Sequence, residues 1–379
     1  MENGSSIKVM TIFGTRPEAV KMAPVIKALQ NRPDEIDVKI CVTAQHRELL
    51  DQVLEVFQIR PDYDLEIMKA GQSLSYLTAN ILTKLDPILQ DEKPDWILVQ
   101  GDTTTVMTAA IAGFYHRIRI GHIEAGLRTG DKFSPYPEEF NRRIADQISD
   151  LHFAPTEMTR DNLLREGFPD ENIHVTGNTC IDALLGIVGR EDPGVSEKWD
   201  RLLDPNRRLI VVTAHRRENF GPPFDDICTA LLELSEKYAS TIQIVYPVHP
   251  NPQVKARAYA LLNEIDNIHL CDPIDYLPFV HLLNRADLIL TDSGGIQEEA
   301  PSLGVPVLVL RESTERPEGI KAGTLKLVGT DPRRIVEETS VLLDDPIAYE
   351  KMAGTVNPYG DGQASERIVD LICKYHDRV

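Results

Sequence analysis

The strongest constraint on this chain is an alternation that runs almost from end to end. A short run rich in Val, Ile and Leu is followed by a stretch with helical spacing, then by another such run. The apolar runs are 7–13 (IKVMTIF), 38–43, 96–100, 118–123, 151–154 and 173–175, then 208–214, 241–248, 268–271, 287–291, 305–310 and 325–329. Helical spacing fills Glu18 to Gln30, Leu74 to Leu89, Thr104 to Tyr115 and Phe224 to Tyr238. Near-continuous apolar strands separated by helices predict parallel sheets covered on both faces. The segment from Gly189 to Arg207 interrupts the pattern with prolines and charges and divides the chain into halves of like design. One half opens IKVMTIFGTRPE and the other RLIVVTAHRREN, and each later has a strand ending in aspartate, ILVQGD and LILTD. The expected fold is therefore α/β: two doubly wound parallel-sheet domains facing a central cleft. Open sheets of this kind take ligands beyond the carboxyl ends of their strands.

At 379 residues the chain can bury two ordinary cores. Its net charge of −19 excludes a general affinity for nucleic acid or anionic membranes. No apolar run approaches the roughly 18 residues of a membrane span, and no secretory leader pattern opens the chain. Cys41, Cys180, Cys228, Cys271 and Cys373 are scattered without a CxxC pair, which fits reduced thiols and gives no zinc site. A cytoplasmic location is expected, with no metal and no cofactor.

The residues suited to chemistry gather at strand ends. In LILTDSGGIQEEA, Ser293, Gly294 and Gly295 form a glycine turn entering a helix, a seat for a nucleotide diphosphate, and Gln297, Glu298 and Glu299 come next in the first turn, where carboxylates can hold ribose hydroxyls. In GTRPE, Gly14 permits a tight turn and Pro17 starts a helix, while Arg16 and Lys21 can neutralise a diphosphate or make a surface pair with Glu18. Asp102 in QGDTTT, Glu124 in GHIEAG and Glu138 in SPYPEE come from consecutive loops. Each could simply cap or solubilise; together they form a carboxylate cluster of the kind that moves protons, without metal-type spacing. His215 in TAHRREN could donate to a phosphate or an anomeric oxygen, and His249 ends the following strand. Arg311, Glu315 and Arg316 follow the last buried strand.

Taken together, FGTRPEAVKMAP, VTAQHRELLDQVL, QGDTTT, GHIEAGLRTGD, SPYPEEFNRR, TGNTCIDAL, TAHRRENFG, YPVHPNP, LTDSGGIQEEAPSLGVPVLVLRESTERPEG, GTLKLVGTD and NPYGDGQAS closely resemble the non-hydrolysing UDP-N-acetylglucosamine 2-epimerases. The motifs extend from Phe13 to Ser365. The resemblance implies a GT-B-like fold, with an N-terminal Rossmann-like domain of residues 1–178 joined by a C-terminal helix at 363–379 and a UDP-binding Rossmann-like domain of residues 179–362. It implies reversible epimerisation at C2 of UDP-GlcNAc to UDP-ManNAc, supplying ManNAc units for cell-surface polysaccharide. The implied route is anti elimination of UDP to 2-acetamidoglucal followed by re-addition. A homodimer without cofactor is implied as well. Asp102, Glu124, Glu138 and His215 correspond to the catalytic set. Arg16, Lys21, His215, Ser293, Gly294, Gly295, Glu299 and Arg316 correspond to ligands of UDP or substrate. Gln45, His46, Gln72, Arg216 and His249 match a second, activating UDP-GlcNAc site. A hydrolysing 2-epimerase releasing ManNAc and UDP, a GT-B glycosyltransferase and a non-catalytic sugar-nucleotide-binding module are the alternatives.

Overall fold

The computed structural model describes residues 6–44, 47–69, 71–190 and 193–376. The chain forms two compact units, Met1–Ala183 with Gly360–Val379, and Leu184–Tyr359. Helix Thr179–Val188 carries the chain from one to the other.

The first unit contains strands β1 (Ile7–Phe13), β2 (Ile36–Val42), β3 (Tyr63–Asp64), β4 (Trp96–Gln100), β5 (Arg119–Ile123), β6 (Leu151–Ala154) and β7 (Ile173–Val175). They pair in parallel in the order β3-β2-β1-β4-β5-β6-β7. The order changes direction between β1 and β4, which are in register at Val9 and Trp96. β4 is buried along its whole length, as its unbroken WILVQ run requires. Leu77, Ile81, Leu85 and Leu89 of helix Leu74–Glu92 pack with Met10, Ile12, Ile97 and Val99 from the sheet. Helix Arg16–Gln30 lies against the C-terminal helix Ala364–His376. Arg32, just past the end of that first helix, bonds to Glu366 at 3.0 Å and Asp370 at 2.6 Å. Ser365 donates its backbone N–H to Asp182 at 2.8 Å. The sheet has one strand that the apolar pattern does not announce: β3 is two residues long, half-buried at Tyr63 and exposed at Asp64. An edge strand this short has no buried run to read.

The second unit contains β8 (Arg208–Thr213), β9 (Ile242–Pro247), β10 (Ile268–Cys271), β11 (Leu288–Thr291), β12 (Val307–Val309) and β13 (Leu325–Leu327). Their order is β10-β9-β8-β11-β12-β13, again all parallel. Successive side chains of a strand point to opposite faces. Ile210 and Val212 accordingly pack with Phe224, Ile227, Leu231 and Leu234 of helix Pro222–Lys237. Leu209 and Val211 pack on the other face with Leu282, Leu283 and Trp199. Trp199 belongs to helix Pro193–Leu202, inside the segment that interrupts the strand pattern. That segment is therefore not a bare linker: among its charges, Val195, Trp199 and Leu203 supply an apolar face to the core.

Candidate active site

In the first unit the residues of interest follow β1, β4 and β5, three adjacent strands. Gly14 is required after β1 because a Cβ there would stand 1.9 Å from Thr43 Oγ1 and 2.9 Å from Thr105 Oγ1. Thr15 caps the next helix in a capping box with Glu18. Glu18 does more than cap. Its Oε2 accepts from the backbone N–H groups of Gly14 at 3.0 Å and Thr15 at 2.7 Å, and its Oε1 accepts from the Thr103 hydroxyl at 2.6 Å. The turn after β1 is thereby tied to the turn after β4. Burial pushes the Glu18 carboxyl above its ordinary range, against the opposing pull of the bonds from Thr103, Thr15 and Gly14. Arg16, half-buried at the first helical position, has no ion pair among the described residues.

Glu124 sits past β5 with φ +68°, a left-handed conformation that costs a non-glycine residue on the order of 1–3 kcal/mol. Its carboxylate is held from three sides. Gln100 Nε2 donates to Oε2 at 2.5 Å, Asn178 Nδ2 donates to Oε1 at 3.1 Å, and the Lys21 ammonium pairs with Oε1. Asp102 pairs with the guanidinium of Arg142, and its backbone carbonyl accepts from Asn141 Nδ2 at 3.0 Å. Arg142 and Asn141 belong to helix Glu138–Ile148, so the element that begins with Glu138 also holds Asp102. The prolyl bonds at Pro135 and Pro137, before this helix, are both cis. Glu138 is half-buried and has no side-chain hydrogen bond or ion pair among the described residues. Its neighbour Glu139 is fully buried, accepting from the Thr129 backbone N–H at 3.1 Å and pairing with Arg142 and Arg143.

Beneath the turn after β4 lies His122, fully buried. Its Nδ1 is 2.6 Å from Asp146 Oδ1 and its Nε2 2.7 Å from the Gly101 carbonyl oxygen. Both nitrogens face acceptors, which favours the imidazolium. Burial opposes that charge, but Asp146 prevails and raises the His122 pKa. Asp146 also meets Arg128 at 2.8 Å.

In the second unit the matching strand ends are those of β8 and β11, again adjacent. Asp292, fully buried past β11, organises the turn after β8. Its Oδ2 accepts from the backbone N–H groups of His215 and Arg216, both at 2.8 Å, and from Asn219 Nδ2 at 3.0 Å. The imidazoles of His215 and His249 stack 5.4 Å apart at 11°. Burial pulls the His215 pKa down, Asp292 opposes this, and His249 and Arg216 add to it. Arg216 Nε also donates to the Asp292 carbonyl at 3.3 Å. The turn Ser293-Gly294-Gly295 leads into helix Gly294–Glu299. Arg316 lies over that turn, its Cζ 3.0 Å from where a Gly294 Cβ would be. Glu298 orients it by accepting from Arg316 Nε at 2.7 Å, so Glu298 is engaged with a protein cation. Glu299 is buried. Arg311 is locked by Glu218 at 2.5 Å and Glu315 at 2.9 Å.

Among the positions that the sequence singles out, Arg16, Lys21, Asp102, Glu124 and Glu138 lie beyond the strands of the first sheet, and His215, Arg216, His249, Ser293, Gly294, Gly295 and Arg316 beyond those of the second. Gln72 stands apart on the turn before helix Leu74–Glu92, with its Oε1 buried. Gln45 and His46 lie outside the described residues. The sequence does not single out the supporting residues Asp292, Gln100, Asn178, Arg142 and His122, nor the grip of Glu298 on Arg316. Glu18 reads there only as a surface partner of Arg16. The one sequence signal for Asp292 is its place at a strand end, the place Asp102 also has.

A protein-family profile described as UDP-N-acetylglucosamine 2-epimerase matches residues 27–373. A UDP-N-acetylglucosamine 2-epimerase of Yersinia pestis is 55% identical over 371 residues, covering 97% of this chain and 98% of that one. The crystal structure of UDP-GlcNAc 2-epimerase from Neisseria meningitidis bound to UDP-GlcNAc superimposes with a TM-score of 0.88 at 51% identity, over 97% of this chain and 100% of that one. The Methanocaldococcus jannaschii UDP-GlcNAc 2-epimerase in complex with UDP-GlcNAc and UDP gives 0.78 at 35% identity, over 97% and 100%.

Proposed function

Because the chain belongs to the UDP-N-acetylglucosamine 2-epimerase family, we propose that it interconverts UDP-GlcNAc and UDP-ManNAc without hydrolysing them. The C2 proton of a sugar has no adjacent carbonyl and is not acidic. Loss of UDP from C1 gives oxocarbenium character, after which a base can remove that proton. This is the elimination route: 2-acetamidoglucal and UDP form, the proton returns on the other face, and UDP adds back. Cations beside the leaving diphosphate lower the barrier by meeting charge as it develops. Arg16, Lys21, His215 and Arg316 with the Ser293-Gly294-Gly295 turn supply them, and Glu299 binds the uridine ribose. Asp102, Glu124 and Glu138 stabilise positive charge and move protons. The observation that carries this reading is the Glu124 carboxylate, held on a left-handed backbone by Lys21, Gln100 and Asn178, one strand from Asp102.

Incubation with UDP-GlcNAc alone in deuterium oxide, followed by proton NMR, tests it. The expected product is UDP-ManNAc carrying deuterium at C2. Free ManNAc with UDP would mean a hydrolysing enzyme. No reaction without a sugar acceptor would mean a glycosyltransferase or a binding module. The product would supply ManNAc for cell-surface polysaccharide.

A homodimer is part of the same proposal. The first unit bears a groove of about 650 Å³ lined by Leu74, Leu82, Phe133, Tyr136 and Phe140, and the last three are at least half exposed. Apolar surface of this kind suits a protein partner, here a second copy of the chain. Light scattering that returns the mass of one copy would refute this. Arg216, His249 and Gln72 belong to the proposed activating site for UDP-GlcNAc, with Gln45 and His46.

A further inference from the structure

Asp292 has two carboxylate oxygens in different circumstances. Oδ2 is saturated by three N–H donors, from His215, Arg216 and Asn219. Oδ1 is buried and has no hydrogen-bond partner among the described residues. The nitrogen that faces it is His215 Nδ1, 3.4 Å away. A buried carboxylate oxygen without a donor is costly, and a small turn of the imidazole would satisfy it. The His249 ring stacks on one face of the His215 ring. A ring whose Nδ1–H meets a carboxylate presents Nε2 on the opposite edge. Burial lowers the His215 pKa and so favours the neutral ring, in which only one of the two nitrogens carries a proton.

We propose that Asp292 is a positioning residue that keeps the His215 proton on Nδ1 and so reserves Nε2 for the diphosphate of the bound nucleotide sugar. The proposal rests on the reading of His215 as a group that meets that diphosphate. With Nε2 free, the ring can take a proton there, and the resulting imidazolium is balanced by Asp292 from behind. Besides Asp292, the charged or titratable groups that act on His215 are His249 and Arg216, and the Tyr246 phenol, which donates to the Ala214 carbonyl at 2.8 Å, also feels the Asp292 charge.

The three donors on Oδ2 make a clean perturbation available. In Asp292→Asn the amide oxygen must take the Oδ2 position, because three N–H groups point at it. The amide NH2 then faces His215 Nδ1 and forces that nitrogen to accept, which moves the proton to Nε2. The turn after β8 keeps its bonds, so the variant should melt within a few degrees of the parent. Turnover should fall about 10²-fold or more while the KM for UDP-GlcNAc moves less than tenfold.

The decisive readout is nitrogen-15 NMR of the histidines in the full, unsubstituted protein, with the His215 signals identified by their loss in His215→Gln. Protonated Nδ1 and unprotonated Nε2 in the parent support the proposal, and the reverse pattern in Asp292→Asn completes it. A parent ring protonated on Nε2 overturns it, even if Asp292→Asn fails to fold. A well-folded Asp292→Asn with near-parental turnover also overturns it. A parent with the expected protonation but no activity on UDP-GlcNAc would instead count against the proposed function.

Discussion

Glu124→Gln separates a catalytic carboxylate from a merely structural one, because the surroundings of Glu124 permit the stability cost to be worked out first. The substitution keeps size and shape. Its amide oxygen can stay on the Oε1 side, accepting from Asn178 and Lys21, and its NH2 then meets Gln100, whose own amide turns to accept. The turned Gln100 NH2 gives up its bond to the carboxylate, and the charge is lost as well. The Lys21 and Glu124 side chains are 18% and 7% exposed. The penalty should therefore lie below the roughly 3–5 kcal/mol of breaking a fully buried ion pair. It should be near the ~1.5–3 kcal/mol of a hydrogen bond to a charged group. A folded protein with a melting temperature several degrees lower is expected. Turnover should fall by at least ~10²-fold if this carboxylate moves a proton, and deuterium incorporation at C2 should fall with it. Asn178→Ala is the comparison, since it removes one bond to the carboxylate and leaves the charge in place. It should lose a similar amount of stability but less than about tenfold in turnover. Turnover is read by proton NMR and stability by circular dichroism. Glu124→Gln within tenfold of the parent, or Asn178→Ala losing as much turnover, would refute the reasoning.

Three further outcomes are expected. Gly14→Ala should destabilise the protein by about 1–3 kcal/mol through its contact with Thr43 Oγ1, and adding Thr43→Ala should recover part of that; a single variant that melts like the parent would show that the turn has more room than its geometry allows. Although burial alone would raise it, His122 and Arg128 hold the Asp146 carboxyl down at about 2, so its contribution to stability should be complete above pH ~4 and be lost as the pH falls towards 2. A melting temperature that is flat with pH through that interval would contradict this. If the second UDP-GlcNAc site operates, the rate against UDP-GlcNAc should be sigmoidal, and conversion of pure UDP-ManNAc should be slow until UDP-GlcNAc is added; hyperbolic kinetics in both directions would remove it.

How much of the molecule is legible in its sequence depends on the range of the forces involved. Parallel sheets are legible because strands such as WILVQ are buried on both faces and must be apolar throughout. The GTRPE turn is legible because glycine and proline act on their own backbone. β3 is not legible, since Tyr63 and Asp64 are held at an edge by pairing with β2 and by no pattern of their own. The supporting residues of the site are hidden for a different reason. Asp292 acts on backbone 77 positions away, Asn178 reaches Glu124 across 54, and Arg142 reaches Asp102 across 40. Nothing local distinguishes such residues from ordinary polar ones.

The two aspartates show how far this goes. Each ends a strand next to the point where the sheet order changes direction, and the two halves look alike there. Asp102 nevertheless turns to the guanidinium of Arg142 from a helix and stays half-exposed. Asp292 turns inward, takes three N–H groups and vanishes from solvent. The difference lies in the turn after each neighbouring first strand. After β1, Glu18 from the next helix already satisfies the N–H groups of Gly14 and Thr15, so Asp102 is released for other work. After β8, the chain runs through His215 and Arg216 into the short turn Arg217–Asn219. There the acceptor for both N–H groups is Asp292, supplied from the neighbouring strand rather than from the turn itself. Buried backbone donors have to be met by some acceptor. That requirement decides which of two equivalent carboxylates stays partly exposed and which becomes a buried support.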